Sequence, residues 1–174
     1  MIRKFAVLAL LLLVAGCKSV QVQDFKAEQP AFDLRQYFDG TIDAWGIVRN
    51  RDGSISQRFT VVIQASWQGD TGTLDEQFTY SDQRTQRRVW TFKRVGERWI
   101  GTAADVVGEA VGEEAGNAFR LGYVLDFPYG SGTVHLNVDD WMYRMDDKVI
   151  LNRSSISKLG IEMAQVFISF RKRD

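Results

Sequence analysis

Between Phe59 and Trp67 the side chains alternate. Phe59, Val61, Ile63, Ala65 and Trp67 take one phase; Thr60, Gln64, Ser66 and Gln68 take the other. A period of two places successive side chains on opposite faces of an extended chain, so this stretch predicts a strand with one buried face. Gly69 to Gly72 turns it back. Leu74, Glu76, Phe78 and Tyr80 then share the next inward phase, and after a turn at Ser81 to Arg84 so do Arg88, Trp90 and Phe92. Upstream, Thr41 to Arg49 predicts a strand with Ile42, Ala44, Gly46 and Val48 on one face and Trp45 and Ile47 on the other. Asp52-Gly53 is a strong hairpin signal after it. Phe119, Leu121, Tyr123, Leu125 and Phe127 give a further clean strand, ended by Pro128 and a glycine-rich turn.

The C-terminal third carries the same rhythm with one interruption. Val134, Leu136 and Val138 alternate with His135, Asn137 and Asp139, but past Asp139-Asp140 the apolar set is Trp141, Tyr143 and Met145. A slip of one residue exchanges the two faces of a strand, so the pattern predicts a β-bulge at Asp139-Asp140. A short strand Val149 to Leu151 follows, then a polar segment Asn152 to Lys158 and a last strand Ile161 to Phe170. Asp105 to Asn117 is the least regular part. Gly108, Gly112 and Gly116 recur every fourth residue, which disfavours a helix and predicts a loop or kinked strand, with an amphipathic helix as the alternative.

Eight to ten short strands joined by tight turns, with no alternating helical segments, exclude βαβ units and predict an all-β domain. Hairpin connections in up-and-down order favour a closed antiparallel barrel of calycin type, with an interior wide enough for one small or elongated ligand.

The first residues are read as a processing signal. Arg3 and Lys4 precede an apolar run, Phe5 to Val14, that is too short for a membrane-spanning helix. The run ends in Val14-Ala15-Gly16-Cys17, the pattern of a bacterial lipobox, and Cys17 is the chain's single cysteine. Residues 1–16 are therefore expected as a cleaved lipoprotein signal peptide, 17–31 as an acylated cysteine (Cys17) and flexible tether, and 32–174 as the barrel. The alternative is an ordinary signal peptide with a chance cysteine. Lys18, rather than Asp, follows Cys17, which favours the inner leaflet of the outer membrane, facing the periplasm. Two acyl-bearing groups on one residue make attachment effectively permanent. Loss of Arg3 and Lys4 leaves 20 basic residues against 22 acidic, dispersed among each other, so nothing argues for a nucleic-acid partner. A monomer is expected.

Several motifs resemble one known family. Tyr37-Phe38-Asp39-Gly40, Ala44-Trp45-Gly46, Arg58-Phe59-Thr60-Val61, Thr85 to Trp90, Gly116-Asn117-Ala118, Asp139 to Tyr143, Leu151 to Ser154 and Ser157 to Gly160 are similar to bacterial lipoproteins of the domain of unknown function 3833 family. The resemblance covers Leu34 to Arg171. It implies a lipocalin-like barrel on a lipid anchor and no assigned activity. Members tend to be encoded near genes for modifying membrane fatty acyl chains.

Candidate chemistry is sparse. His135 is the one histidine and falls on the polar phase, and Cys17 is consumed by the anchor, so no catalytic residues, metal ligands or cofactor site are assigned. Asp139, Asp140, Asp146 and Asp147 lack the spacing of a calcium loop and suit turns instead. Arg144 and Arg153 are expected to satisfy neighbouring aspartates. Glu76 and Arg88 stand out because both occupy inward phases among apolar neighbours. Across the hairpin at Ser81 to Arg84 they come within reach of each other. Either they form an interior ion pair that fixes register, or Arg88 holds the carboxylate or phosphate of an amphiphile. In the second case the amphiphile's tail contacts Trp45, Trp67, Trp90 and Phe92. The expected function is non-enzymatic binding or carriage of an acyl lipid, such as a fatty acid or phospholipid, or another apolar small molecule. A filled scaffold barrel and an accessory enzyme of fatty-acyl modification are the alternatives.

Overall fold

The computed structural model describes residues 19–174, so the lipobox and Cys17 lie outside the described residues. Ten antiparallel strands follow one another: β1 (Gly40–Asn50), β2 (Ile55–Gln68), β3 (Thr71–Tyr80), β4 (Thr85–Val95), β5 (Arg98–Thr102), β6 (Ala110–Ala115), β7 (Ala118–Tyr129), β8 (Gly132–Arg144), β9 (Val149–Lys158) and β10 (Ile161–Lys172). Each pairs with its neighbour in sequence, and β1 pairs with β10, so the sheet closes into an up-and-down barrel without free edges. The alternation of β2 survives intact: Val61, Ile63 and Ala65 are buried while Thr60, Gln64 and Ser66 face solvent.

One end of the barrel is plugged. Asp33 caps a one-turn helix, α1 (Leu34–Tyr37), by accepting a hydrogen bond from the Gln36 amide. Phe32, Leu34, Tyr37 and Phe38 are buried beneath the turns that follow β2, β4, β6 and β8. The plug is held by polar contacts as well as apolar ones. The Tyr37 hydroxyl donates to the Lys148 carbonyl at 2.8 Å. Arg144 donates through Nη1 to the Ala31 carbonyl and to Gln36, and through Nη2 to Asp147. Arg153, in turn, sits 3.7 Å from Glu162.

Where a phase jump in β8 predicts a bulge, the pairing with both β7 and β9 runs through Asp139 and Asp140 without a register shift. Val138, Asp140 and Met142 all point inward, and Trp141 and Tyr143 point outward. Their outer face is covered by residues before the barrel. Val22, in a 3-10 turn Val22–Phe25, is buried against Ala118 and Trp141, and the Phe25 ring lies 5.9 Å from Trp141 and 5.4 Å from Tyr143. The described part of the 17–31 segment thus lies along the wall rather than hanging free. Register shifts occur instead at Val48/Arg49 and Glu162/Ala164.

The glycine-rich stretch resolves into a loop at 103–109 and the short strand β6. Gly112 faces inward beneath Phe119, whose ring would stand 2.5 Å from a Cβ there; the glycine lets the aromatic lie against the wall. Gly116 sits in the turn to β7 with φ +53°, directly under the Phe25 carbonyl. The polar segment after Leu151 also differs from expectation. It continues as β9 through Lys158, because its inward side chains, Asn152 and Ser154, find a partner inside the barrel.

Candidate ligand-binding cup

Inward side chains near the plug pack tightly: Ile42, Ile63, Leu34, Phe119 and Ile150 are almost completely inaccessible. Toward the other end the interior opens. Val48, Phe78, Leu125, Ile156, Val166 and Ile168 are only partly covered, and they face a cavity of about 770 Å³. The cavity reaches Ser56, Gln57, Phe127 and Pro128, so it opens at the hairpins after β1, β3, β7 and β9, opposite the plug. The interior is a cup, narrow below and free above.

A polar group interrupts the apolar wall at mid-depth. In the β3–β4 ladder Glu76 is directly opposite Arg88. Arg88 donates from Nε to Asp105 Oδ1 at 2.9 Å, an acid supplied by the loop between β5 and β6. Its guanidinium lies 4.5 Å from the Trp90 ring centre and 5.6 Å from that of Tyr123, a favourable arrangement for a cation against two aromatic faces. Its Nη2 is buried without a hydrogen-bond partner. Across the barrel, Asp140 accepts hydrogen bonds from Asn152 Nδ2 and Ser154 Oγ, and Asn152 Oδ1 is a second unpartnered atom.

Burial governs the protonation of this group. Glu76 keeps partial exposure, but that surface faces the cup, not bulk water. Desolvation pushes its carboxyl up to about 7; Arg88 opposes the shift, and Asp105 and Asp140 add to it. Desolvation also raises the Asp140 carboxyl, against the hydrogen bonds from Ser154 and Asn152. The Tyr123 hydroxyl is pushed up to about 12 for the same reason. At neutral pH the wall therefore holds one fixed cation, hydrogen-bonded to Asp105, and a glutamate close to its midpoint.

Glu76, Arg88, Trp90 and Phe92 all line the cup, as their phases require. Trp67 and Trp45 do not. Trp67 lies toward the plug, donating from Nε1 to the Phe38 carbonyl and packing edge-on against Trp99, so it closes the barrel rather than lining its free space. Trp45 is on the outer wall and 50% exposed, because β1 turns Ala44, Gly46 and Val48 inward. Among the described residues no histidine lines the cavity. His135 is on the outer face, 3.4 Å from Asp126.

Sequence reasoning missed Asp105, Tyr123, Asp140, Asn152 and Ser154. Asp140 was detectable by the criterion that singles out Glu76: it falls in phase between Val138 and Met142.

A family model described as a protein of unknown function (DUF3833) matches residues 11–172. No curated protein matches the chain. Among solved structures, the barrel resembles that of an S-type phycobiliprotein lyase from Guillardia theta, with a TM-score of 0.60 over 89% of this chain and 98% of that one. The two sequences are 8% identical, so the likeness shows the fold alone: a lipocalin-like barrel, an architecture suited to enclosing a ligand.

Proposed function

This chain belongs to the DUF3833 family, and on that premise we propose that it is a lipid-anchored, non-enzymatic binding protein that carries an acyl lipid in its cup. The observation that carries the reading is the pairing of a large apolar-walled space with one desolvated arginine whose Nη2 has no partner. A cavity of about 770 Å³ is well above the roughly 300 Å³ at which ligand pockets begin, which counts against a filled scaffold. Its wall divides by chemistry. Phe78, Leu125, Ile156 and Ile168 suit an acyl chain, and Arg88, stacked on Trp90, suits the carboxylate or phosphate of its head. Among the described residues no histidine lines the space, and the lining serine that meets a carboxylate, Ser154, is tied with Asn152 to the wall by Asp140. Apolar walls around one arginine favour carriage over an accessory enzyme of acyl modification. Acylation of Cys17 would hold the barrel at the inner leaflet of the outer membrane, where such a cargo is at hand.

The test is a titration of the protein with a fluorescent fatty acid, with Arg88→Met beside the wild type. A charge-assisted hydrogen bond in a desolvated site is worth about 1.5–3 kcal/mol, so the substitution is expected to weaken binding by about 10- to 100-fold. Unchanged affinity would remove Arg88 from the site. No binding by the wild type would end the carrier reading.

A further inference from the structure

The open end of the barrel is apolar on one side. In the barrel order β7, β8, β9, β10, β1 and β2 are neighbours, so their three hairpins stand side by side along the rim. Phe127 and Tyr129 stand exposed on the first, Leu159 and Ile161 on the second, and Ile55 on the third. The turn after β3 carries Ser81, Asp82, Gln83 and Arg84 instead, and the loop after β5 mixes Val107 with Asp105 and Glu109. Single exposed apolar residues need no explanation, but several gathered on adjacent turn tips around a cavity mouth do.

The tip of the β9–β10 hairpin sharpens the point. Lys158 pairs with Ile161, leaving a two-residue turn of Leu159 (φ 50°) and Gly160 (φ 78°). Both positions are left-handed, where asparagine, aspartate or glycine is the ordinary choice and a leucine is sterically disfavoured. Leu159 is 90% exposed, so no packing among the described residues offsets that cost. Charge points the same way. Among the described residues Lys158, at the second tip, and Arg51, at the third, have no ion-pair partner. The acids beside them are already engaged: Asp52 by Ser54, and Glu162 by Ser155, Gln165 and Arg153.

We propose that this half of the rim docks the mouth on an anionic phospholipid surface. Leu159, Ile161, Ile55 and Tyr129 enter the headgroup boundary, and Arg51 and Lys158 meet lipid phosphates. Aliphatic and aromatic tips flanked by cations are the chemistry that binds such an interface. The docked cup then faces acyl chains directly, so a cargo enters without crossing water. This inference rests on the carrier reading for its purpose, while its test uses no interior ligand.

The barrel, its plug and its core all lie within residues 19–174, so that chain serves as the probe, with circular dichroism to verify the fold of each variant. Co-sedimentation is measured with vesicles of equal phosphatidylglycerol and phosphatidylethanolamine and with vesicles of phosphatidylcholine. The wild type is expected to bind the anionic vesicles at least 10-fold more tightly. Leu159→Asp/Ile161→Asp should lose 10-fold or more on both, Arg51→Ala/Lys158→Ala should lose the anionic preference, and Leu151→Asp, on the outer wall, should change nothing. Failure of the wild type to bind either vesicle overturns the proposal. So does equal binding by the Leu159/Ile161 variant, or self-association through the same tips with no vesicle binding. Fatty-acid titration of the same variants separates the two readings: loss of vesicle binding with interior binding intact concerns the rim alone, and the reverse concerns the cup alone.

Discussion

Glu76 and Arg88 face each other across the β3–β4 ladder, yet the arginine's hydrogen bond runs to Asp105, 2.9 Å away in the loop after β5. The cation thus has its ion-pair partner on the mouth side, and Glu76 is left desolvated with only a through-space interaction. That asymmetry frees a carboxyl that titrates near neutrality and a guanidinium with a nitrogen to spare.

Stability should register the strained glutamate. Its carboxyl binds a proton more tightly in the folded state (about 7) than in the unfolded chain (about 4.5). The associated stability is fully present below about pH 4.5 and is lost as pH rises through about 7. Glu76→Gln removes this dependence. Chemical denaturation at pH 5 and pH 8 should show the variant gaining about 1–3 kcal/mol on the wild type over that interval. Parallel pH profiles would contradict a neutral-range Glu76.

Binding of an anionic amphiphile should share the dependence. Ionisation of Glu76 adds a negative charge opposite Arg88 and beside Asp105, Asp140 and Tyr123. Fatty-acid affinity is expected to fall several-fold between pH 6 and pH 8 in the wild type and to stay level in Glu76→Gln, as read by fluorescence titration. An affinity that rises with pH would place the ligand's head elsewhere.

Asp140 holds Asn152 and Ser154 inside the barrel. Asp140→Leu strands the Ser154 hydroxyl and leaves the Asn152 amide only the Trp141 carbonyl, and removing one partner of a buried polar set costs about 2–4 kcal/mol. Asp140→Leu/Asn152→Leu/Ser154→Ala, which replaces the whole set with apolar groups, should recover most of that loss in a denaturant melt. Additive destabilisation by the three changes would show that the set is not a unit.

The barrel was legible wherever inward positions are apolar. β2 and β7 keep an uninterrupted period of two, β3 and β4 keep it around the polar Glu76 and Arg88, and the Asp-Gly and Gly-rich turns help to delimit them. It was least legible where an interior position is polar or an exterior one is covered. In β8, Trp141 and Tyr143 imitate an inward phase because Val22 and Phe25 bury them from outside, and Asp140 imitates an outward phase because its partners lie on β9. A local pattern carries no record of a segment packed on from more than a hundred residues away. The same limit hid Asp105 and Tyr123 from the candidate site. Glu76 and Arg88 were visible because a single hairpin brings them together.

Gly116 tests the covering of β8. Its φ of +53° and its position beneath the Phe25 carbonyl leave no room for a side chain. Gly116→Ala is expected to destabilise the barrel by about 1–3 kcal/mol. It should also raise fluorescence quenching of the outward Trp141 by iodide, as the Val22–Phe25 turn lifts away. Unchanged quenching would mean that the turn does not depend on this glycine.

The central claim is that the cup holds an acyl lipid. The most direct measurement is extraction and mass spectrometry of non-covalent lipid from the full chain purified out of its own envelope, beside a variant whose cup is blocked by Ile168→Trp. About one acyl lipid per wild-type chain is expected, with a clear loss in the blocked variant. Equal lipid in the two proteins, or none in the wild type, would contradict it.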